Sequence, residues 1–214
     1  MNIVIPLFPR FTVLDAVGPY EVLSRLPGAK VTVAAVEPGL VRDATGMLQL
    51  EAPVAVADVK SADVLCVPGG PGTRRPDPRL VEWIRAIHPT TKMTTSVCTG
   101  SLLLAAAGVL EGLPATSHWF EIDRLADHGA VPTRRRIVFA GKVATAAGVS
   151  AGIDLALALA ARLASEDVAR AIQLAIEYDP EPPFDAGSVE KAPPAIVELV
   201  RSTIQKRMAA GAPL

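Results

Sequence analysis

The sequence lacks an excess of charge of either sign. Its 21 Lys and Arg residues balance 22 Asp and Glu residues, which gives a formal net charge of -1. A protein with this balance has no overall field that would attract nucleic acid or an anionic membrane surface. The arginine run Arg134–Arg136 is too short to change that, so we expect no nucleic-acid partner.

Cysteines are scarce, since the chain contains only Cys66 and Cys98. Their spacing fits neither a metal-ligand pattern nor a disulfide framework, and a chain of this length needs no covalent cross-link to fold. We therefore expect a reducing compartment and no metal site.

Long hydrophobic runs are also absent. A membrane-spanning helix needs about 18 consecutive apolar residues, and even the Ala-rich segment from Gly148 to Ala164 contains Asp154 and Arg162. The amino-terminal segment MNIVIPLFPR has neither the basic start nor the small-residue cleavage site of a signal peptide. We expect no membrane association and a cytoplasmic location.

The sequence does have enough apolar residues for a large core. Hydrophobic residues make up 50% of the 214 residues and charged residues 20%, which excludes an intrinsically disordered chain. This length favours one domain over residues 1–214, ending in a proline-rich arm and a helix from about residue 180.

Short β-branched runs alternate with helical segments along the chain. The predicted strands are Asn2–Leu7, Lys30–Val36, Asp63–Val67 and Lys92–Val97; the predicted helices are Ala16–Leu26, Pro78–His88, Gly100–Gly108, Gly148–Leu163, Glu166–Tyr178 and Pro193–Met208. Nearly continuous apolar strands are typical of a parallel sheet that is buried on both faces. The fold class is therefore α/β, a doubly wound, mostly parallel sheet with helices on both faces. Two β-hairpins, Leu40–Leu50 and Arg136–Ala144, are expected at the sheet edge.

An apolar strand ends abruptly at Cys98, and a helix of small residues begins within two positions. A sharp strand-to-helix turn places the side chain at its apex in the cleft where open α/β sheets bind ligands. The amino terminus of that helix is expected to lower the pKa of the thiol, which would make Cys98 a nucleophile. The alternative is that Cys98 is a small buried apolar residue, which is our interpretation of Cys66.

Two more segments follow predicted strands. The glycines of VPGGPGT at Val67–Thr73 could present backbone N–H groups to an oxyanion, because they carry no side chain that would obstruct the approach. Asp15 begins the helix after the first strand, where capping that helix is one interpretation. The other is that Asp15 reaches Cys98, and a carboxyl with a raised pKa beside a thiolate could carry a proton.

The three segments together resemble the ThiJ/PfpI superfamily, which shares the flavodoxin-like fold of class I glutamine amidotransferases. Within it the chain is most similar to the isocyanide hydratases. The matching segments are LDAVGPYEVL at Leu14–Leu23, VPGGPG at Val67–Gly72, SVCTGSLLLAAAGVLEG at Ser96–Gly112, ATSHW at Ala115–Trp119, AGIDLAL at Ala151–Leu157 and EYDPEPPFDAGS at Glu177–Ser188.

This resemblance implies roles for single residues. Cys98 would be the nucleophile and Asp15 the acid and base, while the backbone N–H groups of Thr99 and Gly70 would face the reacting group. The implied reaction is the hydration of a small isocyanide to an N-formamide through a thioimidate, without a cofactor. Relatives that are proteases have histidine where this chain has Thr99, and glutamine amidotransferases require a downstream His and Glu pair that we do not find here. Neither proteolysis nor glutamine hydrolysis is therefore expected. The resemblance also implies a homodimer.

The role of His118 stays open: it lies at the expected end of the next strand, where it is either structural or supports a residue that touches the substrate. Two other functions also stay open. The domain resembles the sensor part of AraC-type transcriptional regulators, which would make it a ligand or redox sensor. It also resembles glyoxalase-like proteins that detoxify small carbonyl compounds, although those relatives usually have Glu where this chain has Asp15.

Overall fold

A parallel sheet forms the centre of the protein, of which the computed structural model describes residues 1–209. The strands are β1 Asn2–Leu7, β2 Lys30–Ala35, β3 Gly39–Arg42, β4 Gln49–Ala52, β5 Val54–Ala55, β6 Val64–Val67, β7 Met93–Val97, β8 Pro114–Ala115, β9 Val131–Pro132, β10 Ile137–Ala140 and β11 Val143–Ala146. The α-helices are α1 Val13–Leu23, α2 Pro78–Ile87, α3 Gly100–Ala106, α4 Ala151–Leu163, α5 Glu166–Ala175 and α6 Pro194–Ala209. The last five positions of the domain predicted from sequence, 210–214, lie outside the described residues.

The main sheet has the strand order β10-β11-β7-β6-β1-β2-β5, and only the β10–β11 pair is antiparallel. Every residue of β6 and β7 is buried, because helices cover both faces of the sheet. Helix α1 packs on α4, and α2 packs on α3. The predicted doubly wound fold is confirmed.

Both predicted hairpins form, but in different sheets. The second is β10–β11, which extends the edge of the main sheet through the parallel pairing of β11 with β7. The first is β3–β4, a separate two-stranded sheet. The turn between β3 and β4 uses Gly46 in the left-handed region, with φ of 77°.

Some predicted boundaries need correction. Helix α1 begins at Val13 after Thr12, so Asp15 lies in its first turn and does not cap it. Helix α4 begins at Ala151, three residues after its predicted start at Gly148. Within residues 1–209, no helix is long and apolar enough to cross a membrane.

The strand order changes direction at β1, which lies between β2 and β6. In open α/β sheets, ligands bind in the crevice at such a switch point, outside the carboxyl ends of the strands. The segments that follow β1, β6 and β7 therefore meet at this edge, and they carry Asp15, Gly69, Gly70 and Cys98.

Candidate active site

Cys98 occupies the turn between β7 and α3 with φ of 55°, in the left-handed region that residues with a Cβ seldom adopt. Such a conformation costs about 1–2 kcal/mol and persists only where the surrounding structure holds it. The Cys98 N–H donates to the carbonyls of Ala146 and Ala147 at 3.0 and 3.1 Å. The Cys98 carbonyl accepts from the hydroxyls of Ser101 and Ser117, both at 3.1 Å. Hydrogen bonds from three other segments therefore fix the predicted sharp turn.

The glycine pair after β6 lets the backbone approach this turn closely. A Cβ on Gly69 would lie 2.5 Å from the Thr99 nitrogen and 2.9 Å from Asp15 Oδ2, so no side chain fits there. Gly70 has φ of 136°, and a Cβ on it would lie 2.5 Å from the carbonyl oxygen of Arg10. The loop therefore needs glycine at both positions to bring Asp15 and Thr99 together.

The carboxyl of Asp15 is fully buried beside Cys98. Its Oδ2 accepts the Gly69 N–H at 3.0 Å. Its Oδ1 accepts no hydrogen bond from any nitrogen or oxygen donor within residues 1–209, and the Cys98 thiol is the side chain with which the carboxyl interacts. A buried carboxyl oxygen without a donor is costly when ionised, so this group is suited to hold a proton.

Burial raises the pKa of Asp15 to about 7, although hydrogen bonds from Gly69 and Cys98 partly oppose the shift. Burial and the adjacent Asp15 charge raise the pKa of the Cys98 thiol, against the opposing hydrogen bond from the Thr99 N–H. The sequence-based expectation of a lowered thiol pKa is therefore wrong. Helix α3 has only 7 residues, and the stabilisation of an anion at a helix terminus, about 0.3–1 kcal/mol, is smaller than the cost of burial.

The raised pKa of Asp15 predicts a pH-dependent stability. Below pH 3.8, the pKa of Asp15 in the unfolded chain, Asp15 is protonated in both the folded and the unfolded protein. As the pH rises towards about 7, only the unfolded chain releases this proton, so the free energy of unfolding falls. The loss amounts to about 4 kcal/mol at most. We expect Asp15→Asn and the wild type to unfold at similar urea concentrations at pH 4, and the variant to be the more stable at pH 8. Equal stabilities at both pH values would contradict the raised pKa.

The backbone of Gly70 and the side chain of Thr99 are joined by a hydrogen bond. The Gly70 N–H donates to Thr99 Oγ1 at 2.8 Å, so this amide is engaged within the protein and does not point at the thiol as the resemblance implied. The Thr99 backbone N–H, in contrast, is directed at the Cys98 sulfur. Of the two amides expected to face the reacting group, the structure places the one of Thr99 there.

His118 lies in the irregular segment that follows β8, which is the next strand after Cys98 but belongs to a separate two-stranded sheet outside the main sheet. Its ring packs on Gly148, where a Cβ would lie 2.3 Å from its Cδ2, and on Trp119. Burial lowers the pKa of His118, which keeps the ring neutral at pH 7. It lines the same cavity as Cys98.

A cavity of about 800 Å³ opens in front of Cys98 and Thr99. One wall is formed by the carboxyl-terminal helix α6, from which five side chains line the cavity: Leu199, Val200, Thr203, Ile204 and Arg207. No residue of α6 is buried, and Leu199 is 60% exposed. The sequence predicted this helix without any role at the site, because the pattern of α6 carries no information on what it packs against.

A buried ion-pair network also lines the cavity, and sequence reasoning missed it. Glu121, which is 3% exposed, accepts from Nε and Nη2 of Arg74 at 3.0 and 2.5 Å and from Arg124 at 3.0 Å. A carboxylate this deeply buried needs such partners. Arg74 and Glu121 are 47 positions apart, and neither belongs to a motif that would have indicated the pairing.

Comparison with known proteins places the whole sheet and the site in a described group. Residues 1–162 match the DJ-1/PfpI family. The crystal structure of a ThiJ/PfpI family protein from Pseudomonas syringae superposes with a TM-score of 0.92 at 37% identity, covering 96% of this chain and 86% of that one.

Two curated proteins differ in the function that their names state. The isonitrile hydratase of Pseudomonas putida is 44% identical over 197 residues, which are 91% of this chain and 86% of that enzyme. The HTH-type transcriptional regulator CdhR of Pseudomonas aeruginosa is 32% identical over 166 residues, 73% of this chain but 48% of the regulator.

Proposed function

The chain belongs to the DJ-1/PfpI family, and we propose that it is an isonitrile hydratase, which adds water to R–N≡C and releases the N-formamide. The observation that carries the proposal is the interaction of the buried Asp15 carboxyl with the thiol of Cys98, a residue that lines the cavity. The 44% identity to the Pseudomonas putida enzyme selects this reaction among those that a cysteine and a carboxyl can perform.

In the first half of the proposed reaction, the Asp15 carboxylate takes the thiol proton as the sulfur of Cys98 bonds to the terminal carbon of the isocyanide. Asp15 then gives the proton to that carbon, which leaves a thioimidate, R–N=CH–S–Cys98. A pKa of about 7 suits a group that must both accept and donate a proton near neutrality. The Thr99 N–H stabilises negative charge on the sulfur.

In the second half, water adds across the C=N bond, with its hydroxyl going to carbon and its proton to nitrogen. The hydroxyl proton returns to the sulfur through Asp15 as the C–S bond breaks, which restores the thiol and leaves R–NH–CHO. Protons and electrons balance over the cycle, so the residues present complete the reaction without an added oxidant or reductant.

The proposal is tested by incubating the purified protein with an alkyl isocyanide in buffer containing EDTA and no added cofactor. We expect the N-formamide to accumulate over many turnovers, as followed by NMR or chromatography. A protein that consumes no isocyanide but converts methylglyoxal to lactate would overturn the proposal in favour of carbonyl detoxification.

A second candidate function is ligand sensing, which the match to about half of the regulator CdhR favours. In that case the cavity would retain a small molecule without converting it. Tight binding of an isocyanide or another small electrophile with no turnover would support sensing over hydration.

The wall formed by α6 leads to a prediction about substrate binding. Leu199 faces the cavity with most of its side chain uncovered, so an apolar substituent on the isocyanide would bury it. Leu199→Ala removes about 1–2 kcal/mol of such burial, so we expect KM for a cyclic hydrocarbon isocyanide to rise roughly 5–30-fold. KM for methyl isocyanide should stay unchanged. The control is Glu198→Ala, which alters an exposed α6 residue that does not line the cavity, and the KM values for both isocyanides should stay unchanged in this variant. Equal changes for both substrates would contradict the contact.

The homodimer implied by the resemblance stays part of this proposal. Large apolar side chains are exposed on α1 and the β3–β4 turn, among them Leu14, Tyr20 and Leu48, and burying such side chains is what an interface between copies does. We expect light scattering to give twice the chain mass of 22.3 kDa. A mass of one chain at micromolar concentration would overturn the dimer.

A further inference from the structure

A second cleft, separate from the cavity in front of Cys98, is lined by an unusual number of arginines. Its volume is about 1380 Å³. Six arginines line it: Arg10, Arg42, Arg74, Arg75, Arg79 and Arg207. The acidic residues among its lining are Glu37 and Asp77. In a chain with a net charge of -1, this cleft concentrates positive charge.

The cleft lies where the fold binds ligands. Its lining includes Leu7 and Ala35, the last residues of the parallel strands β1 and β2, and the turn at Pro71–Arg74 that follows β6. That turn forms part of the wall between the cleft and the catalytic cavity, because Pro71 and Arg74 line both, as does Arg207 of α6. The carboxyl ends of strands beside a switch point are the common ligand site of open α/β sheets.

Three of the arginines have no carboxylate partner. Arg79 pairs with Asp77 and Glu37 at 2.8 and 2.6 Å, and Arg74 is held by Glu121. Arg42, Arg75 and Arg207 make no ion pair with any acidic side chain in residues 1–209. Unpaired positive charges that face one concavity repel one another, so an anion placed between them relieves that repulsion.

The loops that line the cleft are rich in proline. Five prolines line it: Pro9, Pro38, Pro71, Pro76 and Pro78. Because proline fixes φ, the loops that carry the arginines lose little conformational entropy when a ligand binds. Ordering these loops around a ligand therefore costs little free energy, which favours ligand binding in the cleft.

We propose that this cleft binds a small molecule with two or more anionic oxygens, a phosphate ester or a polycarboxylate. The planar guanidinium group donates two parallel hydrogen bonds to such oxygens, and several arginines in one concavity select for more than one negative charge. The site is distinct from the reaction at Cys98, so the proposal stands whether or not the protein hydrates isocyanides. A ligand here would touch Arg74, which holds Glu121 in the catalytic cavity.

The test is isothermal titration calorimetry of the full chain with inorganic phosphate and, separately, with citrate, at constant ionic strength set by chloride. We expect saturable binding of at least one anion. Arg75→Gln should weaken it at least about tenfold, and Arg42→Gln together with Arg75→Gln should weaken it further. Arg135→Gln is the matched control, because Arg135 is also exposed and without an ion pair but lies near the β10–β11 hairpin.

The outcomes separate the two ligand sources, and they separate anion binding in the cleft from isocyanide hydration at Cys98. Binding of phosphate alone assigns the cleft to phosphate esters, and binding of citrate alone assigns it to polycarboxylates. Cys98→Ala should bind either anion as the wild type does, whatever its activity. The proposed site would be overturned if neither anion showed saturable binding. It would also be overturned if Arg135→Gln and Arg75→Gln lost the same amount of anion affinity.

Discussion

Cys98→Ala is expected to abolish isocyanide hydration, lowering kcat/KM by at least on the order of 10⁴-fold, because no other group can bond to the terminal carbon in the proposed reaction. The change to alanine removes one sulfur atom from a side chain that is 5% exposed, so we expect the variant to fold with a modest loss of stability. Formamide production at substrate concentrations below KM measures the effect.

Cys66→Ala is the control for that experiment. Cys66 is also a free and fully buried cysteine, but it lies within β6, and burial raises the pKa of its thiol to about 12. We expect this variant to hydrate isocyanide at the wild-type rate after correction for its folded fraction. Activity retained by Cys98→Ala, or lost only in Cys66→Ala, would remove Cys98 from the mechanism.

Asp15→Asn is expected to lower kcat by about 10²–10⁴-fold, the usual loss when a general acid and base is removed. The amide keeps the size of the side chain and can still accept the Gly69 N–H, but it cannot carry a proton between sulfur and carbon. The wild-type rate should fall as pH drops below about 7, where Asp15 becomes protonated and no longer accepts the thiol proton. The variant should lack this acid limb.

The matched control is Asp63→Asn. Asp63 accepts the Asn2 N–H at 2.7 Å and pairs with Lys92, at the amino-terminal edge of the sheet and away from the site. We expect full activity and an unchanged pH profile from this variant. An Asp15→Asn enzyme with an unaltered acid limb near pH 7 would show that another group supplies the proton.

Much of the fold follows from the sequence, because burial on both faces leaves a simple pattern. Strands β1, β6 and β7 are almost uninterrupted apolar or small-residue runs, and each was predicted to within one residue of its observed ends. The start of α1 was misplaced by three residues, since Asp15 looked like a helix cap. Its carboxyl instead bonds to Gly69, 54 positions away, and such a partner is not visible in local sequence.

The candidate site was predicted in its residues but not in its electrostatics. The small residues around Cys98 and the glycines after β6 indicated a sharp turn and a close approach, and both are present. The pKa of the thiol depends on how deeply the turn is buried and on the charge of Asp15, which only the packing of three segments determines. The pairing of Arg74 with Glu121 is likewise a long-range contact without a local pattern.

The loose attachment of α6 has a consequence for how members of such a family diverge. A helix that buries none of its residues, joined by the exposed proline-rich segment 180–193, can change its sequence with little penalty to the stability of the sheet. Its side chains nevertheless meet whatever enters above Cys98. Exchanging this helix between relatives would therefore change which substrates are preferred. The reaction at Cys98 and Asp15 would stay the same.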